Sequence, residues 1–142
     1  MSGHQHDQQA GKASKVPRIL LVDDHPLIRR GLRTLLDEHD DVIVIGEAGS
    51  GVEAVSMAAE MQPDVIVMDV NMPKMDGLQA TKHIKAAQPE VIIIGHSVNT
   101  STPIVEAMKR AGASAFVPKE AAAADLHDTI AALIVAQTVQ DG

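Results

Sequence analysis

Cysteine is absent from the 142 residues, which excludes disulfides and thiolate metal sites. Trp and Tyr are absent too, and Phe116 is the single Phe. The core must therefore be aliphatic, built from Ile, Val, Leu, Ala and Met. No apolar run approaches the roughly 18 residues of a membrane span. The first residues lack the basic-then-apolar order of a signal peptide, so a soluble, cytoplasmic protein is the expectation. Positive charge is also scarce, with 12 Lys and Arg against 19 Asp and Glu and a net charge of -7. That balance argues against a nucleic-acid surface, which needs basic patches to meet phosphates. What remains is a chain with 45% hydrophobic residues, too apolar for disorder. Its length suits one domain able to bury roughly two-thirds of the unfolded chain's surface.

The stretch Pro63 to Gly77 organises the rest. Its short apolar run, Val65 to Met68, ends in the carboxylate of Asp69, and a loop containing Pro73 and Gly77 follows. Such a run, rich in β-branched residues and bounded by turn signals, reads as a strand buried on both faces of a parallel sheet. Ligands of open α/β sheets bind beyond the carboxyl ends of the strands, where Asp69 is expected.

The same alternation runs along the chain. Residues 1–15 are polar and aperiodic and read as a disordered tail or linker; His4, His6 and Asp7 there carry no specific site. The single folded domain is expected over 16–138, with 139–142 as a C-terminal tail. Arg18 to Val22 is a strand running into Asp23-Asp24-His25-Pro26, and Pro26 suits the first turn of a helix to about Glu38. Val42 to Gly46 reads as a second strand, Glu47 to Gly51 as a loop, and Val52 to Met61 as a second helix. After the Asp69 strand, Gly77 to Ala87 is a third helix and Val91 to Ser97 a fourth strand. Thr102 is expected to cap a fourth helix with Pro103 as its first residue, ended by Gly112. Ala115 to Val117 is a fifth strand, and Glu120 to about Thr138 a fifth helix, whose alanines 121–124 favour helix by propensity. Five strands alternating with five helices imply a parallel sheet covered on both faces, with right-handed crossovers.

The strand ends then supply Asp23 and Asp24, Asp69, Ser97 and, just past the fifth strand, Lys119. Three carboxylates brought close together repel, so a pKa rises or a cation neutralises them. Hard oxygen donors favour Mg²⁺ over Zn²⁺. Mg²⁺ is typically held by one or two carboxylates plus phosphate oxygens, which points to a phosphoryl group as substrate. A carboxylate can act as nucleophile and form an acyl phosphate. Lys119 and Ser97 can hold the remaining oxygens of the transferring group. Taken singly, the same residues have ordinary readings. Asp23 and Asp24 can cap the first helix, Asp69 can form a turn, and Ser97 can be a loop serine. Asp76-Gly77 is a helix-entry signal without chemistry, and Met68, Met72 and Met75 are packing residues.

At this point the sequence resembles the receiver domain of bacterial two-component response regulators, from Val16 to about Val135. The residues carrying the resemblance are Leu-Val-Asp23-Asp24-His-Pro, Val-Met-Asp69-Val-Asn-Met-Pro-Lys-Met-Asp-Gly77, Ser97 and Phe116-Val-Pro-Lys119. The Asp-Asp-His-Pro-Leu-Ile-Arg-Arg-Gly-Leu segment is most similar to the subclass usually fused to a helix-turn-helix output domain. The resemblance implies a flavodoxin-like (βα)5 fold with strand order 2-1-3-4-5. It implies that Asp69 takes a phosphoryl group from a histidine kinase, a phosphotransfer protein or a small phosphodonor. Asp24, Asp69 and the backbone carbonyl of Asn71 would ligate Mg²⁺, with Asp23 assisting through a water. Lys119 would pair with the phosphate, Ser97 would swing in to bond it, and Phe116 would change rotamer in step. The face of helix 4, strand 5 and helix 5 would then change its partner preference, with phosphorylation-linked homodimerisation as a further expectation. No nucleic-acid or membrane contact is implied for this domain.

Two readings compete with this one. A phosphatase-like hydrolase shares the Asp-plus-Mg²⁺ logic but normally carries a second Asp two residues after the nucleophile. Here that position is Asn71, so slow self-dephosphorylation rather than multiple turnover is expected. A degenerate receiver that never takes phosphate is disfavoured by the intact acid, Ser and Lys set. His96 departs from the family, which usually places an apolar residue there. Strand alternation turns it away from Ser97 toward a helix layer, as a buried neutral His with a backbone partner or as a pH-dependent switch. No helix-turn-helix follows Val139 in the sequence given. A stand-alone receiver, the receiver end of a hybrid kinase and an excised fragment all fit.

Overall fold

A computed structural model of the chain describes residues 16–72 and 76–141. The polar tail and the Pro73 to Met75 part of the loop after Asp69 lie outside the described residues. Five strands form one sheet: β1 Arg18–Val22, β2 Ile43–Ala48, β3 Val65–Asp69, β4 Ile92–Ser97 and β5 Ala115–Pro118. Their order is β2-β1-β3-β4-β5, and every pairing is parallel. The connecting helices are α1 Pro26–Asp37, α2 Gly51–Met61, α3 Gly77–Ala87 and α4 Thr102–Ala111. A 3-10 turn, Lys119–Ala121, leads from β5 into α5, Ala122–Asp141. This is the flavodoxin-like order expected from the sequence.

Because side chains alternate along a strand, the sheet divides the core in two. Ile19, Leu21, Val65, Val67, Ile92 and Ile94 pack with Leu32 and Leu36 of α1 and Leu126 and Ile130 of α5. Leu20, Val22, Ile66, Met68 and Ile93 pack on the other face against Ala54 and Ala58 of α2, Ile84 of α3 and Met108 of α4. All five β3 residues are buried, which is why that strand reads as an uninterrupted apolar run. Each fully buried aliphatic side chain contributes about 1.5–3 kcal/mol relative to an exposed one.

Several boundaries differ from the sequence reading, most by a single residue. β2 continues through Glu47 and Ala48, which pair with Leu21 and Val22. Glu47 is accommodated in a strand because Arg29 and Arg33 of α1 bind its two oxygens at 3.0 and 2.8 Å. The N-cap of α4 is Ser101, one residue earlier than expected; it makes no side-chain cap, and Pro103 lies in the first turn. α5 is helical to Asp141 rather than ending near Thr138. Gly112 closes α4 at φ 123°, the left-handed backbone for which glycine is suited.

Candidate phosphoacceptor site

The carboxyl ends of β1, β3 and β4 and the turn after β5 meet in a cleft of about 330 Å³ lined by His25, Ile28, Asp69, Asn71, Ser97, Val98 and Lys119. Asp23 is fully buried and Asp69 is 1% exposed. One carboxylate oxygen from each of Asp23, Asp24 and Asp69, with a ring nitrogen of His25, lies within 4.8 Å of the others. The Lys119 ammonium stands between two of the acids, 2.8 Å from Asp23 Oδ2 and 3.6 Å from Asp69 Oδ2. On the opposite side His25 Nδ1 lies 3.0 Å from Asp23 Oδ1 and 3.1 Å from Asp24 Oδ1.

The backbone holds these acids in place. The His25 amide donates to Asp23 Oδ1 at 2.9 Å, and Arg29 Nη1 donates to the Asp23 carbonyl at 2.6 Å. The N-cap of α1 is His25, which makes no side-chain cap; the acid pair therefore does not cap the helix. Asp69 Oδ1 accepts from the Asn71 amide at 3.2 Å. Behind it, Gly77 N–H donates to the Val70 carbonyl at 2.9 Å. A Cβ on Gly77 would collide with the carbonyl oxygen of Asp69 and come within 2.8 Å of Val70 Cα. The loop closes this tightly behind the acid because residue 77 has no side chain. Asp76 caps α3 by accepting from Gln79 N at 2.9 Å.

The charges are unequal. Burial raises the Asp69 carboxyl to about 6, with the nearby Asp23 charge adding to it and Lys119 opposing it. Burial also acts to raise Asp23, but hydrogen bonds from Lys119 and His25 outweigh it and hold that carboxyl below its ordinary value. Asp24 Oδ1 and Asp69 Oδ2 are buried without a well-formed hydrogen bond, and Asp23 Oδ2 is buried against the Lys119 ammonium. A set of acceptor-only oxygens in that state is a good match for a small, hard cation such as Mg²⁺.

Ser97 Oγ accepts from Asn71 Nδ2 at 3.3 Å and from the Asn99 amide at 3.0 Å, which places its hydroxyl at the rim of the cleft. Phe116 is partly buried and packs in the layer of α2, α3 and α4. Its ring edge closes over Gly95, where a Cβ would stand 2.8 Å from Phe116 Cδ2. Asp23, Asp24, Asp69, Asn71, Ser97 and Lys119 thus converge, whereas Phe116 stands outside the cleft.

His96 is 1% exposed and is the register partner of Asp69. It shares a strand face with Ile92 and Ile94, so it faces the α1 and α5 layer. Neither ring nitrogen has a hydrogen-bond partner, which corrects the expectation of a backbone partner: the main chain beside it is taken up by strand pairing with Asp69 and Val117. Burial, with the Lys119 charge adding and Asp23 opposing, lowers this imidazole to about 4. The sequence reading assigned no chemistry to His25, Ile28, Val98 or Gly77. The only signal for them was adjacency to the acidic motifs.

Residues 19–131 match the response regulator receiver domain family. Over 119 residues the chain is 40% identical to the transcriptional regulatory protein LiaR of Bacillus subtilis, covering 81% of this chain and 54% of that protein. It is 35% identical over 120 residues to the response regulator GacA of Pseudomonas viridiflava, covering 84% and 56%. A crystal structure of a LuxR-family two-component response regulator from Aurantimonas superposes with a TM-score of 0.82 at 33% identity, covering 86% of this chain and 87% of that one. The chain belongs to the response regulator receiver domain family, the phosphoaccepting modules of two-component signal transduction. It spans about half the length of the curated relatives it matches. Among the described residues no helix is long and apolar enough to cross a membrane.

Proposed function

We propose that Asp69 accepts a phosphoryl group from the phosphohistidine of a histidine kinase or phosphotransfer protein. An Asp69 carboxylate oxygen forms the new bond to phosphorus while the donor's P–N bond breaks. The electron pair returns to the imidazole, which takes up a proton from solvent. Asp24, Asp69 and the Asn71 carbonyl would hold Mg²⁺, assisted by Asp23. When bound, Mg²⁺ neutralises the acids and offsets charge on the transferring group. Lys119 transfers its contact from the free carboxylates to the acyl phosphate. Ser97 gives up its acceptor role toward Asn71 and donates its hydroxyl to a phosphoryl oxygen. Phe116 follows by changing rotamer, and the α4, β5 and α5 face changes its partner preference.

The observation that carries this reading is the half-buried Lys119 ammonium, within reach of both Asp23 and Asp69. Asn71, in the place of the second acid of the phosphatase-like class, puts no carboxyl at the position from which that class activates water. Hydrolysis of the aspartyl phosphate is therefore slow, and the domain works by binding partners rather than by turnover. Acetyl phosphate with Mg²⁺ tests this. The wild type is expected to incorporate phosphate and Asp69→Asn to incorporate none; undiminished labelling of the variant would move the acceptor elsewhere.

A further inference from the structure

A second cluster of ligating side chains lies away from the acidic cleft, past the far end of α1. The twelve residues of that helix, about 18 Å of length, separate the two. His39 and Asp41 belong to the turn between α1 and β2, and His127 lies on α5. One ligand atom from each lies within 4.8 Å of the others. His127 Nε2 stands 2.8 Å from Asp41 Oδ1, across 86 residues of sequence. The His39 and His127 rings are stacked at 3.6 Å between centroids and 8° from parallel. Asp128 Oδ1 is 3.9 Å from the other ring nitrogen, His127 Nδ1.

We propose that His39, Asp41 and His127 form a binding site for a divalent transition-metal ion of borderline softness, with Zn²⁺ as the type case. Two imidazoles and one carboxylate match the ligand types of zinc and leave a fourth position for water. Tetrahedral zinc sets its ligand atoms roughly 3.3 Å apart. Asp41 and His127 need to open by a fraction of an ångström for the metal to replace the shared proton. His39 needs to turn out of the stack about its ring torsion, which its partly exposed position allows. Mg²⁺ prefers oxygen donors and is a poor ligand match here, so the two sites take different ions. Bound metal would clamp the α1–β2 turn to α5. The inference is independent of phosphorylation at Asp69.

The test is Zn²⁺ titration by calorimetry of the full chain, in excess Mg²⁺, with His4→Ala and His6→Ala to silence the tail. A single ion per chain and a raised Tm are expected, with visible ligand-field absorption when Co²⁺ replaces Zn²⁺. His39→Ala and His127→Ala each should weaken binding by at least the roughly tenfold that loss of an outer partner alone costs. His127→Gln retains a donor toward Asp41, so the fold contact survives while the ligand is lost; it should bind as weakly as His127→Ala. Absence of binding in the parent would overturn the proposal. So would Zn²⁺ affinity unchanged by His39→Ala with His127→Ala, which would locate the ion elsewhere.

Discussion

Gly77 closes against the backbone of Asp69 so tightly that a Cβ at position 77 would collide with the Asp69 carbonyl oxygen. The glycine that opens α3 is thereby part of what seats the acidic nucleophile. Gly77→Ala has to displace main chain rather than the tip of a flexible side chain. It is expected to cost about 1–3 kcal/mol of stability and to slow phosphate incorporation. Urea denaturation and acetyl phosphate labelling of the variant measure the two effects. Wild-type values in both would mean that the loop yields freely.

Asp69 makes apo stability depend on pH in a defined direction. Its carboxyl is raised from 3.8 to about 6, so ionisation disfavours the folded state. This contribution is fully present below the unfolded pKa and is lost as pH rises through about 6. In buffer free of divalent ions, Asp69→Asn should exceed the wild type at pH 8 by about 2–3 kcal/mol. The gap should close as pH falls toward 4. Paired urea titrations at the two pH values check it, and a gap that widens on acidification would reverse the sign.

His96, across the strand from Asp69, has the opposite response. Its imidazole is lowered from 6.5 to about 4. Its contribution is present above pH 6.5 and is lost as pH falls through about 4. His96→Leu removes that loss along with two unpartnered buried nitrogens, each costing about 1–3 kcal/mol. The variant should be the more stable at pH 7, with an advantage that grows between pH 6.5 and 4. If phosphorylation-linked changes are the same at pH 6 and 8 in both proteins, His96 has no switching role.

Lys119 counters the acid charge, so Lys119→Met leaves buried carboxylates uncompensated. A loss of roughly 3 kcal/mol is expected at pH 8, smaller at pH 5, where Asp69 is mostly protonated. Thermal melts at both pH values give the comparison. An equal loss at both would assign Lys119 a packing role instead.

How much of this was legible depends on whether a residue announced its setting locally. Val65 to Met68 reads as buried strand because β3 is covered on both faces, and the acids at strand ends follow from that layout. Glu47 misled because a charged residue looks like the end of a strand. Only the guanidiniums of Arg29 and Arg33, brought over by α1, make it fit. Gly77 was read as a helix-entry signal, since close approach of backbone leaves no trace in the sequence beyond the glycine. The partnerless ring of His96 was equally hidden, since no local pattern counts the donors of a distant strand. His39, Asp41 and His127 carry no motif at all. Their meeting is a product of α1 and α5 sharing one face of the sheet.

The central claim is that Asp69 carries the phosphoryl group. Reduction of the phosphorylated protein with borotritide converts an aspartyl phosphate to labelled homoserine, and peptide mapping locates it. The label is expected at position 69 alone and only when Mg²⁺ was present. Label at 23 or 24, or none in a folded wild-type chain treated with acetyl phosphate and Mg²⁺, would contradict the account.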